Sequence, residues 1–380
     1  MMANNNKGVI NVHKQYDIAA YIWPAYTGDE PRARIFWEEG MGEWQTVKNA
    51  VKKFDGHSWP RTPVWGYVNE ADPYVMEMEI DAAADHGVNV FIYDWYWYDN
   101  RPFLEQCLNN GFLKARNHNR MKFYIMWANH DATYLWDKRS AHLPDTVVWS
   151  GAQNRHQFEE VIRRLIAQYF LHPCYYRIDQ KPVFMIYDLN NLIRGLGGPA
   201  ETKKALDWMQ NEAVRAGLSG IHLQLVKWRK MSMNLSGVDG GADAAPGEIA
   251  DFFGFSSVTN YQLTHVTELS RDYAEMIPDA VAGWEQIRKA YTIPYYPHVS
   301  VGWDNNPRFL DFKTRICKNN TPDNFEVILR HAKDFADRYN DVPLITLNSW
   351  NEWTETSYLE PDNLYGYGYL EAVKRVFCKE

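Results

Sequence analysis

The 380-residue chain has no stretch of 18 apolar residues, no Lys/Arg-rich run and no cysteine pair at CxxC spacing. The first absence removes the sequence signature of a membrane-spanning helix. The second, with a formal net charge of -8, argues against nucleic acid and anionic membranes, since phosphate-binding surfaces leave a basic footprint. Cys107, Cys174, Cys317 and Cys378 are scattered, with no Cys/His ligand spacing, and read as ordinary thiols rather than a disulfide framework or zinc site. No GxSxG, HExxH, P-loop or dinucleotide fingerprint is present. No metal or cofactor is expected. The first eight residues, MMANNNKG, lack an apolar core for a leader peptide. The expectation is therefore a soluble chain, periplasmic or secreted if a signal was removed and cytoplasmic otherwise.

What is abundant is aromatic: 16 Trp and 24 Tyr in a chain that is 46% hydrophobic. Part of that belongs to a core. A surplus of indoles also suits saccharides, whose apolar C–H faces pack on flat rings. Eight short β-branched or aromatic runs recur: 16–23, 88–94, 122–128, 182–188, 221–227, 249–256, 297–303 and 342–348. Each is too short for a free-standing helix and reads as a buried strand. Between them lie helical periodicities at 73–86, 156–169, 201–216, 280–291 and 323–339, the first opened by Asp72-Pro73 and closed by Gly87. Strands alternating with helices imply parallel pairing, and eight units indicate a single-domain α/β chain over residues 1–380, a (β/α)8 TIM barrel with long loops on its catalytic face. A doubly wound open sheet is the alternative. Residues 1–15 read as a poorly ordered extension. The long segments 24–72 and 231–248 (with Gly237, Gly240, Gly241 and Gly247) read as loops; the first is expected to wall the cleft, the second to be as readily mobile as functional.

In a barrel, the C-terminal ends of the strands converge on one site. Those ends supply Tyr21 and Trp23; Asp94, Trp95, Tyr96 and Trp97; Trp127, Asn129, His130 and Asp131; Tyr187 and Asp188; Lys227; Asn260 and Tyr261; and Trp303, Asp304 and Asn305. The last strand runs into Asn348-Ser-Trp350-Asn-Glu352-Trp353-Thr-Glu355. Two carboxyls and flat indoles are the ingredients of glycoside chemistry, so Glu352 and Glu355 are the candidate catalytic pair. Carboxyls at i and i+3 of a helical turn have Cβ atoms roughly 5–6 Å apart. That spacing favours a retaining arrangement (about 5–5.5 Å between carboxyls) over an inverting one (about 6.5–9.5 Å). The plainer reading is that both glutamates complement the positive end of a helix. Asp94, Asp188 and Asp304 are equally at home as turn or cap residues. Trp95 and Trp97 fit simple barrel packing.

Several segments resemble a known group. Gly42-Glu43-Trp44, Val90–Trp97, Trp127-Ala-Asn129, Lys181–Tyr187, Gly302-Trp-Asp-Asn305 with Pro307-Arg308, and Asn348–Glu355 followed by Leu359-Glu-Pro361 are together similar to WbsX-type proteins. That group is labelled glycosyltransferase and is related to glycoside hydrolase family 99, the endo-α-mannosidase-like barrels. The likeness implies a metal-independent barrel that acts on α-linked glycans with retention. It implies Glu352 as the base on the sugar's own 2-hydroxyl and Glu355 as acid/base for the leaving group. Tyr21, Trp23, Glu43, Trp44, Asp94, Trp95, Trp97, Trp127, Asn129, Tyr187, Asp304, Asn348, Trp350 and Trp353 are the candidate substrate-binding set. The expected partner is an oligo- or polysaccharide. The leading expectation is a retaining glycoside hydrolase; the alternatives are a glycosyltransferase or transglycosylase in polysaccharide or O-antigen synthesis, and a non-catalytic carbohydrate binder.

Overall fold

Eight parallel strands follow one another around the core: β1 (Asp17–Ile22), β2 (Val90–Tyr98), β3 (Lys122–Trp127), β4 (Lys181–Ile186), β5 (His222–Val226), β6 (Ser257–Thr259), β7 (His298–Ser300) and β8 (Leu344–Asn348). This is a computed structural model, and it describes residues 15–378 apart from 141, 144, 230 and 236–241. Neighbouring strands pair in parallel at every step but β6–β7, and β8 returns to β1 with Asp17 opposite Leu344. β6 is bridged instead to the segment leading into β7, opposite Tyr295, where Val258 N–H donates to Pro294 O and Tyr296 N–H donates to Val258 O, both at 2.9 Å. The sheet is thus a nearly closed TIM barrel, and the open-sheet alternative is set aside.

The helices cover the outside: α1 (Pro73–Asp85), α2 (Arg155–Leu165), α3 (Leu189–Leu196), α4 (Pro199–Arg215), α5 (Pro246–Phe253), α6 (Tyr273–Ala290), α7 (Pro322–Tyr339) and α8 (Gly368–Phe377). Their starts follow local chemistry. Asp72 accepts the Tyr74 N–H at 2.9 Å ahead of Pro73, and Asn154 and Gln157 cap α2 reciprocally.

One element differs from the expectation. Residues 249–256 are not the sixth strand; most of them belong to α5, and β6 begins at Ser257. The reason is local: Pro246 occupies the first turn, Glu248 accepts the Ala245 N–H at 2.7 Å, and Gly254 closes the helix at φ 76°. Ile249, Ala250 and Phe253 form the buried stripe, and their aromatic and branched neighbours disguised it as a strand. The extension expected over 1–15 lies, apart from Gln15, outside the described residues, as do Gly237, Gly240 and Gly241.

Candidate active site

Strand alternation decides which side chains enter the barrel mouth. On β2, Asp94 and Tyr96 line a cavity of about 300 Å³, whereas Trp95 and Trp97 lie on the opposite face. Trp95 donates its indole N–H to Glu105 at 2.8 Å and stacks on Trp97, ring centroids 5.9 Å apart. Trp127 also turns outward, to Phe158 and Phe184. The cavity wall is aromatic: Trp23, Tyr96, Trp136, Tyr187, Trp228 and Tyr261 surround it, with His130 among them. Trp136 sits 5.3 Å from Trp23 and 5.8 Å from both Tyr96 and His130. Trp228, 37% exposed, forms the lip and donates to Tyr187 O at 2.8 Å. Burial lowers the His130 pKa, which disfavours the charged form of this ring in the wall.

At the base of the cavity, one guanidinium holds three carboxyls. Arg308 donates from Nη1 to Glu355 Oε1 (2.7 Å), from Nη2 to Glu352 Oε2 (3.2 Å) and from Nε to Glu43 Oε1 (3.2 Å). Glu43 Oε2 accepts the Trp23 indole N–H at 2.5 Å. All four residues of this cluster are at most 9% exposed. Glu352 closes a two-residue antiparallel pairing with residues 357–358, and Glu355 ends the 3₁₀ turn Trp353–Glu355. Neither opens an α-helix. Two arms of one planar group thus hold the pair side by side at the cavity, a geometry only arginine supplies.

Tyr261 ties in a fourth carboxyl. Its hydroxyl is 2.9 Å from Asp94 Oδ2 and 3.0 Å from Glu352 Oε1. A phenol has one proton to give, so satisfying both contacts requires a proton on Asp94 or on Glu352. Burial raises both of their pKa values well above the carboxylate range, and Glu355 adds to the rise at Glu352. Glu355 is raised by burial too, with Arg308 pulling it back. Its Oε2 is buried and has no hydrogen-bond partner among the described residues.

Of the expected residues, Trp23, Asp94, Tyr187, Glu352 and Glu355 line the cavity. Four others support it. Tyr21 lies against Tyr261, centroids 4.8 Å apart; Glu43 anchors Arg308; Asn129 fixes the Asp188 backbone by two bonds (2.7 and 2.9 Å); Asn348 accepts from Gln262 at 3.1 Å. The remainder serve elsewhere. Trp44 packs on Tyr26, Trp350 donates to Glu79, and Trp353 stacks on Tyr358 at 3.8 Å. Asp304 accepts from His57 Nε2 at 2.7 Å in a separate cavity of about 340 Å³. The 24–72 loop lines that second cavity through His57 and Arg61; toward the first it backs the wall, through Phe36 and Trp37 packed on Trp136 and Trp23 and through Glu43, while Trp136, after β3, supplies the lining face. Arg308 and Tyr261 complete the site without having been chosen. Tyr261 was visible as a strand-end aromatic; Arg308 lies eight residues past β7 and carried no pattern beyond its place after Pro307.

Comparison with known proteins adds context. The family described as Glycosyltransferase WbsX matches residues 18–373. Two curated relatives, each named Uncharacterized protein WxcX, come from two strains of Xanthomonas campestris pv. campestris. Both are 26% identical over 357 residues, 92% of this chain and 48% of theirs, so the chain spans about half their length. Among solved structures, a GH99 endo-alpha-mannosidase from Bacteroides thetaiotaomicron is similar at TM-score 0.59 and 16% identity, over 94% of this chain and 95% of that one. A glycoside hydrolase-like protein is similar at TM-score 0.63 and 15% identity, over 97% and 96%. At these identities the likeness to the two structures is one of fold.

Proposed function

This chain belongs to the Glycosyltransferase WbsX family, and we propose that it is a retaining glycoside hydrolase acting on an α-linked glycan. The carrying observation is the pair Glu352 and Glu355, held by two arms of Arg308 at the floor of an indole- and phenol-lined cavity. The described chain acts as one catalytic domain in this reading, with an oligo- or polysaccharide as substrate.

The hydrogen bonds support distinct roles. Glu352 receives donors on both oxygens, from Tyr261 and from Arg308; with a proton resting on Asp94, Tyr261 donates to Glu352, and these two donors favour its charged form against the upward push of burial and Glu355. Glu352 then takes the proton of the sugar's 2-hydroxyl as that oxygen closes on the anomeric carbon. Glu355, whose Oε2 is unpartnered, gives its proton to the departing glycosidic oxygen. In the second half, water attacks the anomeric carbon and loses its proton to Glu355, while Glu352 returns its proton to the 2-oxygen. Positioned acid/base groups of this kind contribute about 10²–10⁴-fold each.

The family's description motivates a second reading, transfer from a nucleotide sugar. Among the described residues that line the cavity, Arg308 is the only Arg or Lys, and its three donor nitrogens already face carboxyls. A diphosphate would need free cationic or backbone donors. Transglycosylation from a glycan donor remains compatible with the same chemistry.

The test is incubation with α-mannan-type and rhamnose-containing glycans, with and without nucleotide sugars. Oligosaccharide release supports hydrolysis; activity only with a nucleotide sugar overturns it. Binding without turnover, unchanged in Glu352→Gln and Glu355→Gln, identifies a lectin instead. On aryl glycosides, Glu355→Gln is expected to recover as the leaving group becomes more acidic, and Glu352→Gln is not. The reverse pattern exchanges their roles.

A further inference from the structure

A second group of carboxyls adjoins the closing motif and is unused by the proposed chemistry. Glu70 from the loop before α1, Glu79 from α1 and Glu360 after β8 are at most 2% exposed, and one oxygen from each lies within 4.8 Å of the others. Their remaining contacts come from donors. The Trp350 indole N–H donates to Glu79 Oε2 at 3.0 Å, the Trp353 indole N–H to Glu360 Oε2, and Asn351 Nδ2 reaches both oxygens of Glu70 at 2.9 and 3.0 Å. Oriented, donor-held carboxylates of this kind characterise metal ligands.

Among the described residues, no Arg, Lys or His hydrogen-bonds or ion-pairs with these carboxyls; their partners are the uncharged Trp350, Asn351 and Trp353 and the Cys107 thiol, 3.5 Å from Glu70 Oε2. Two further atoms are fully buried without a hydrogen-bond partner among the described residues, Glu79 Oε1 and the Tyr93 hydroxyl. Tyr93 lies on β2, near enough to Cys107, Glu79 and Glu70 to feel their charge. Leaving a buried polar atom unpaired costs about 1–3 kcal/mol, and a bound cation would relieve both.

We propose that Glu70, Glu79 and Glu360 bind one hard divalent cation, with the Tyr93 hydroxyl and Glu79 Oε1 turned toward it. An all-oxygen set of three carboxyls suits Ca²⁺, Mg²⁺ or Mn²⁺ rather than a soft thiolate-seeking ion. The ion would be structural: the donors Trp350, Asn351 and Trp353 flank Glu352 in sequence, so it would fasten the catalytic turn to α1.

The experiment reads metal content and melting temperature, and so stands apart from any glycosidase assay. The full chain is dialysed against EDTA, incubated separately with CaCl₂, MgCl₂ and MnCl₂, desalted and analysed by elemental mass spectrometry and calorimetry. Retention of one ion per chain, with a Tm about 3–5 °C lower in EDTA and restored by that salt, is the expected result. Glu79→Gln should abolish both retention and EDTA sensitivity. Should that variant fail to fold, the wild-type measurements decide alone. Wild-type protein that retains none of the three ions and melts identically in EDTA overturns the proposal, and assigns the cluster to carboxyls sharing protons.

Discussion

Replacing Arg308 by methionine removes the one cation that Glu43, Glu352 and Glu355 share, while leaving an unbranched apolar stem in its space. All three contacts are buried ion pairs, between 2.7 and 3.2 Å. Taking one partner from such a network costs about 3–5 kcal/mol, because uncompensated charge stays inside. Unfolding entropy of about 2.1 cal/mol/K per residue makes 1 kcal/mol worth roughly 1.2 °C in a chain of this size, so Tm should fall by about 4–6 °C near pH 8. The pH dependence carries the diagnostic sign. Burial already raises the folded-state pKa values of Glu352 and Glu355 above 4.5, and Arg308 acts to lower both. Without it, both rise further. A carboxyl whose folded pKa is raised contributes stability that is present below its unfolded pKa and lost as pH climbs through the folded value. The deficit of the Met variant should therefore be small near pH 5 and grow toward pH 8. Calorimetry of wild type, Arg308→Met and Arg308→Lys across that range measures it, with Lys intermediate because it returns charge but not the planar fork. A deficit equal at both ends, or larger in acid, refutes the electrostatic account.

Three further outcomes are expected. Tyr261→Phe removes the hydroxyl that bridges Asp94 Oδ2 and Glu352 Oε1, so it should cost about 1–3 kcal/mol by urea unfolding and shift the acidic limb of a pH–rate profile. Glu352→Gln and Glu355→Gln should each lower turnover at least about 100-fold while changing Tm far less than Arg308→Met does, since neither leaves the guanidinium without a carboxylate. An equal loss of Tm would indicate that the glutamates are structural. Gly42 precedes Glu43 at φ 61°, and a Cβ there would meet Ala25 O at 1.8 Å; Gly56 has φ 86° and open space around it. Gly42→Ala should therefore impair folding and activity together, whereas Gly56→Ala should cost only about 1 kcal/mol of backbone strain.

Much of the barrel was readable because parallel strands buried on both faces must be short, apolar and separated by amphipathic helices. The sixth strand was not, since an eight-residue helix rich in Phe has too few turns to show its period. At the site, Glu352 and Glu355 stood out because two carboxyls follow a buried strand directly. Trp95 and Trp97 stood out for the wrong reason: large indoles draw the eye, but the two-residue repeat of β2 gives the cavity to Asp94 and Tyr96. Trp136 lay in a loop after β3, where no periodicity reports direction.

The order of strands and helices, the acidic closing turn and the aromatic surplus are properties of the chain itself, because periodicity and composition act over a few residues. Closure of the sheet alone brings Tyr261, Arg308 and Glu43 to Glu352, across sequence separations of 91, 44 and more than 300 residues. Which carboxyl carries a proton is decided there, by burial and by the donors each oxygen meets. Those quantities depend on neighbours in space, and no local pattern encodes them.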